Sequence, residues 1–206
     1  MTATERSAHM RHVEHGFGPV WDARSRVLVM GSMPSPKSRE AAFYYMHRFN
    51  RFWPVMAAIF GDDSCLPPGG SARTCATWPS TADGLADLVA ARRAFALRHH
   101  LALWDVIASC DITGASDASI RNAVPNDVPS IVRGSGVTHV FTTGQKAAQL
   151  YRRLVAPMMA SAGLDGVAMT ALPSTSPANA GMSLDRLIEA YRPIAELAAG
   201  RPVTGR

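Results

Sequence analysis

Cysteine is scarce in this 206-residue chain: only Cys65, Cys75 and Cys110 occur, with no CxxC pair and no fourth thiol. That count excludes a disulfide framework and a four-thiolate zinc or iron–sulfur site, so a reduced, metal-free protein without a cofactor is expected. Long apolar runs are also missing. No stretch approaches the roughly 18 residues a membrane span needs, and the polar start MTATERSAHMRHVEHG lacks the apolar centre of an export signal. A cytoplasmic protein that does not enter membranes is the expectation. His9, His12 and His15 lie in that start; residues 1–15 are expected to be a flexible segment in which such side chains are solvated. Acidic residues are outnumbered, 16 against 21 Lys and Arg, for a net charge of +5. The surplus favours an anionic partner such as nucleic acid, although many basic proteins bind none.

What the chain has is apolar material. Hydrophobic residues make up 47% and charged residues 18%, enough to offset the entropy of ordering the chain and to form one domain over residues 1–206. The run RVLVMGS, 26–32, is short, β-branched and bounded by Gly and Pro, as a buried strand is. Phe52, Val55, Met56 and Ile59 recur at helical spacing before Gly61. A loop follows over 61–80, then a helix capped by Thr81 or Asp83 and running to Arg98. LALWDVI (101–107), VTHVFTTG (137–144) and VAMTAL (167–172) read as further strands, with 111–126 a polar loop. A helix begins near Lys146, and a last one over about 183–198 carries Leu184, Leu187, Ile188, Tyr191 and Ile194 along one stripe. Strands alternating with helices predict an α/β fold, a three-layer αβα domain around a central four-stranded, mainly parallel sheet. Ligands bind such sheets outside the carboxyl ends of the strands, which directs attention to the loops after each strand.

The loop after the first strand, Gly31 to Trp53, is the most informative. Gly31 permits close approach of backbone to a ligand, and amides near Gly31 and Ser32 are candidates to receive a polarised oxygen. Phe43, Tyr44 and Tyr45 are candidates to stack a base, or else core residues. Asn50 offers paired donor and acceptor to a base edge, and is also suited to cap the helix that begins at Phe52. His47 is a base-binding candidate or a structural loop histidine. Gly144, Gln145 and Lys146 stand at a strand-to-helix junction where amides and a cation receive phosphate. Asp105 ends the second strand, as a support for the site loop or a turn former.

The ordered strings GSMPS (31–35), FYYMHRFNRFW (43–53), DASIRN (117–122) and LPSTSPANA (172–180) resemble the hypoxanthine-DNA glycosylase family of the uracil-DNA glycosylase superfamily, over roughly Gly16 to Leu197. The resemblance implies a monofunctional enzyme that removes deaminated bases, hypoxanthine above all, from double-stranded DNA as a monomer, without a covalent lysine adduct; Lys37 is the lysine to test. It implies that Met33, where the superfamily commonly has the Asp or Asn that orients water, leaves that task to Asn50. Arg48 stands where the family usually has Pro, and Leu172 where the superfamily's second motif begins with His. Gly31, Ser32, Met33 and the aromatic run become the base pocket. Ser35, Lys37, Lys146, Ser174, Thr175, Ser176 and Pro177 become DNA contacts, with 178–182 pressing into the duplex. Ser119 and Asn122 become second-tier contacts beside Asp105. Two alternatives stay open: a uracil-preferring glycosylase, and a non-catalytic DNA- or nucleotide-binding α/β domain.

Overall fold

The computed structural model describes residues 10–71, 78–114 and 117–201; His9 and Cys75 lie outside them. The chain opens with β1 (Met10–Glu14) and reaches β2 (Val27–Gly31), followed by the short helix α1 (Pro36–Glu40) and by α2 (Phe52–Phe60). After α3 (Ala82–Arg98) come β3 (Leu101–Asp105), β4 (Ile107–Thr113) and β5 (Arg121–Pro125). Then follow α4 (Val128–Gly134), β6 (His139–Thr143), α5 (Gln145–Leu150), α6 (Ala156–Ser161), β7 (Ala168–Leu172) and α7 (Leu184–Ala198).

β2, β3, β6 and β7 form one parallel sheet in the order β3-β2-β6-β7. The central strand β2 is buried along its whole length, as a strand covered on both faces must be. Its side chains alternate between two cores. Val27 and Val29 join Leu101, Leu103, Phe141 and the apolar faces of α2, α3 and α7. Leu28 and Met30 join Ala102, Val140 and residues of α4, α5 and α6 on the opposite side. This is the three-layer αβα arrangement the sequence predicts. Local chemistry sets the ends: Thr81 accepts from the Gly84 amide and Ser183 from that of Arg186, while Gly61 turns α2 off in the left-handed region at φ 63. Between α5 and α6 the helix widens into a π turn over Tyr151–Val155. Pro157 follows within its next turn, and its missing N–H removes one bond from the regular ladder.

A second sheet differs from the expectation. β1, β4 and β5 form an antiparallel sheet in the order β1-β4-β5, with Met10 opposite Thr113 and Glu14 opposite Ser109. Residues 10–14 of the start expected to be flexible over 1–15 are therefore a paired strand, and the polar loop expected over 111–126 contains the end of β4 and all of β5. Both stretches are polar because only one face meets the core. Ile107, Cys110 and Ile112 of β4 turn inward, while most of β1 and β5 is exposed and held by backbone pairing. No helix among the described residues is long and apolar enough to cross a membrane.

A cavity at the carboxyl ends of the parallel strands

The loops leaving β2, β3, β6 and β7 converge on a cavity of about 160 Å³. An apolar cavity of about 150 Å³ accepts a benzene ring, so the space suits one base-sized ring rather than a dinucleotide. Gly31, at the end of β2, is required by what stands opposite: a Cβ there would come within 2.3 Å of Asp105 Oδ1. Asp105 closes β3, is only 4% exposed and borders the cavity. Its Oδ2 lies 2.9 Å from His15 Nε2, and its carbonyl accepts from Asn126 Nδ2 at 2.9 Å. His15 Nδ1 donates to the Phe17 carbonyl at 2.8 Å, because a carbonyl can only accept. His15 is thus buried, the reverse of the solvated role expected for the N-terminal histidines. His12, by contrast, is an exposed partner of Asp111.

Ser32 donates its hydroxyl to Asp117, 3.0 Å from each carboxylate oxygen. The cleft's low polarity raises the Asp117 pKa above the usual carboxylate range, opposed by the Ser32 bond, reinforced by the Asp105 charge and opposed by Lys146. Met33 and Ser35 also line the cavity. Ser35 caps α1 by accepting from the Ser38 amide. Lys37 does not reach the cavity; its ammonium pairs with Glu40 at 2.6 Å on the exposed side of α1. Arg39 does line it, one guanidinium N–H donating to the Pro34 carbonyl at 2.6 Å.

The aromatic run divides. Phe43 is fully buried and stacked against Trp53, so it is core and offers no face to a base. Tyr44 shows the cavity only an edge: it is 2% exposed, and its hydroxyl donates to the Gly18 carbonyl at 3.0 Å. Tyr45, held at φ 54, stacks on Phe52 with ring centroids 3.8 Å apart and reaches Thr143 Oγ1 at 3.2 Å, so one face of its ring is taken. His47 lies outside the cavity wall, its Nδ1 accepting from the Phe49 amide. Phe49, which the sequence reading passed over, is 54% exposed beneath the Arg48 guanidinium.

Asn50 does line the cavity. Its Oδ1 accepts from the Phe52 amide at 2.9 Å, tying down the first turn of α2. This bond fixes the orientation of the side-chain amide, and Nδ2 makes no hydrogen bond with any described residue. Arg51 takes the N-cap position of α2, so Asn50, expected as the cap, stands one residue ahead of it and holds the first amide of the helix from there.

Ser174, Thr175 and Ser176 form the opposite wall. Ser174 Oγ accepts from the Ser176 amide, Ser176 Oγ from that of Ala178, and Thr175 is 2% exposed. Pro177 is exposed and outside the cavity. Arg51, next to Asn50, fastens this loop. Its guanidinium donates to the carbonyls of Ser176 (3.0 Å), Asn179 (2.9 Å) and Met182, and its amide to that of Thr175 (3.1 Å). The Gly144 amide is consumed by the Leu172 carbonyl at 2.8 Å, which removes it as a phosphate donor; Lys146 remains, within electrostatic reach of Asp117. The second-tier polar residues part company. Ser119 ties down the Thr113 amide, and Asn122 bonds Asp111 on the surface, neither in the cavity wall, whereas Asp105 is inside it. Among the described residues no three His, Cys, Asp or Glu side chains surround a common metal position.

Sequence reasoning missed His15, Arg39, Arg51 and Asp117 as site residues. Asp117 lay within the DASIRN string, Arg51 within the 43–53 string and Arg39 within the loop after β2, where no spacing singled them out; His15 carries no local signal, because the chain after β1 brings it to the site from a distance.

No family model matches the chain. A protein of Methanosarcina acetivorans named hypoxanthine DNA glycosylase is 24% identical over 84% of this chain and 93% of its own length. A Methanosarcina barkeri protein of the same name is 38% identical over 50 residues, 24% of this chain and 32% of the relative. A solution NMR structure from Methanosarcina acetivorans, provisionally named uracil DNA glycosylase, shares the fold at a TM-score of 0.58 and 22% identity, over 87% of this chain and 96% of that one.

Proposed function

We propose that this chain, which belongs to the uracil-DNA glycosylase superfamily, is a monofunctional DNA glycosylase that hydrolyses the N-glycosidic bond of deaminated bases, hypoxanthine foremost. The observation that carries the reading is Asn50: its amide is locked by Phe52 and its Nδ2 has no hydrogen-bond partner among the described residues, in the wall of a base-sized cavity. The naming of the two curated relatives supports the substrate class.

Such an enzyme swings the nucleotide out of the stack at a cost of a few kcal/mol, which a mismatched hypoxanthine lowers. The cavity receives the base, with Tyr45 and Met33 in its wall and Asn50 Nδ2 donating to an acceptor on the base. A donor fixed where negative charge grows on the departing ring stabilises the transition state more than the bound substrate. Cleavage is largely dissociative, leaving a cationic sugar that water captures. Ser35, Ser174, Ser176, Arg39 and Lys146 supply hydroxyls and cations for the flanking phosphates. Lys37 lies outside the cavity wall on the exposed side of α1, so a free abasic site without a nick is the expected product. The enzyme works on double-stranded DNA as a monomer in the cytoplasm.

Oligonucleotide duplexes carrying hypoxanthine, uracil or xanthine test this with the native chain and Asn50→Ala. We expect hypoxanthine to be released fastest, and the variant to lose roughly 100- to 1000-fold in single-turnover rate, the range for one transition-state donor. An undiminished variant removes Asn50 from the mechanism. Faster release of uracil would transfer the function to the uracil reading, which the naming of the structural neighbour favours. Inosine-duplex binding with no base release would leave a binding domain.

A further inference from the structure

We infer that Asp105 is the carboxylate that serves the reaction in this cavity and that His15, delivered by the chain immediately after β1, is the residue that positions it. The inference rests on the glycosylase reading above and deepens it, because Met33 puts no carboxylate at its place in the first loop and Glu40, the acidic residue of that loop, is outside the cavity wall. Two acidic side chains border the cavity, and they differ in how they are held. Asp117 shares both oxygens with the Ser32 hydroxyl. Asp105 is held by one oxygen only: Oδ2 meets His15 Nε2, while Oδ1 stands against Gly31 and accepts no hydrogen bond from any described residue.

Both side chains of the His15–Asp105 pair are 6% exposed. Since Nδ1 donates to the Phe17 carbonyl, a single proton lies between Nε2 and Oδ2. The imidazole is fixed in turn by Phe17, whose ring centroid lies 4.4 Å away, and by Tyr44 at 5.9 Å. A carboxylate locked at one oxygen presents the other in a fixed direction, and a charge of this kind needs no reorganisation when cation develops beside it. Tyr44, Tyr45 and Asp117 all feel the charge of Asp105, and Arg39 shares the cavity wall with it.

The step balances without any further reagent. The C1′–N bond breaks and its electron pair leaves with the base. A water held by Oδ1 bonds through its oxygen to C1′, its proton passes to Oδ1 and then to the departing base, and the carboxylate is restored.

The test compares the native chain, Asp105→Asn and His15→Gln on a hypoxanthine duplex and on two uncleavable duplexes, one with a cationic pyrrolidine abasic analogue and one with neutral tetrahydrofuran. We expect the native chain to bind the cationic analogue more tightly than the neutral one. Asp105→Asn should abolish that preference, keep binding to the neutral duplex and lose roughly 100- to 1000-fold in single-turnover rate. His15→Gln should reduce both preference and rate, with neutral-duplex binding unchanged. An Asp105→Asn variant that keeps the cationic preference and the rate overturns the inference. So does one that loses both analogues equally with a lowered melting temperature, which would make Asp105 a structural group. Absence of base release by the native chain would instead sink the glycosylase reading, while release that Asp105→Asn leaves unaffected removes only this inference.

Discussion

At Gly31 the requirement is space rather than backbone freedom. The position carries no positive φ, yet a Cβ would meet Asp105 Oδ1 at 2.3 Å, and that oxygen cannot retreat without breaking the bond to His15. Gly31→Ala should therefore destabilise the fold by about 1–3 kcal/mol, as overpacking of a filled site does, and suppress base release. Urea midpoints and the single-turnover assay measure the two effects; an Ala variant with native stability and rate would show that the pocket yields. Residue by residue, the sequence could indicate Gly31, Asn50 and the Ser174–Ser176 wall because each lies at or beyond the carboxyl end of a readable strand, before the next long helix. It could not separate Phe43 from Tyr45, since neighbouring aromatics in a loop of irregular backbone lose the alternation that would tell core from cavity.

Elements show the same division. β2, β3 and β6 were readable because a strand buried on both faces must be a short apolar run, whereas β7, with only Leu172 buried, was readable from its apolar composition. β1 and β5 were not, because their backbone bonds to β4 hold polar, mostly exposed side chains that leave no hydrophobic period. The loop over 174–182 reads as a turn in sequence, yet it is tethered by one side chain from the loop before α2. Arg51→Gln removes charge-assisted bonds to Ser176, Asn179 and Met182, each worth about 1.5–3 kcal/mol when one partner is charged. We expect the Asn179 and Met182 amides, which close the turns of this loop, to lose protection from hydrogen exchange while the β2 amides keep theirs. Unchanged protection at Asn179 and Met182 would mean that the loop holds its shape unaided.

Across the whole molecule, stability at acid pH should depend on the contact between the turn after α2 and the end of α3. Partial burial pushes the Asp62 pKa up, but hydrogen bonds from His99, Ser64 and Arg98 outweigh it and hold the carboxylate below its ordinary range. A depressed carboxyl contributes stability above its unfolded value of about 3.9, and the contribution is lost as pH falls through that region and below. Asp62→Asn should then be less stable than the native chain near neutrality and converge with it in acid, as urea midpoints against pH would record; parallel curves would count against it. The distance in sequence between β1 and β4 bears on how the molecule is made. Val13 pairs with Cys110, and at a synthesis rate of about 5–20 residues per second the first strand waits on the order of 5–20 s for its partner. During that interval its edge is open to other chains. The polar, charged make-up of MRHVE, which hid the strand from sequence reading, is what keeps a newborn chain from joining its neighbours before the cavity can close.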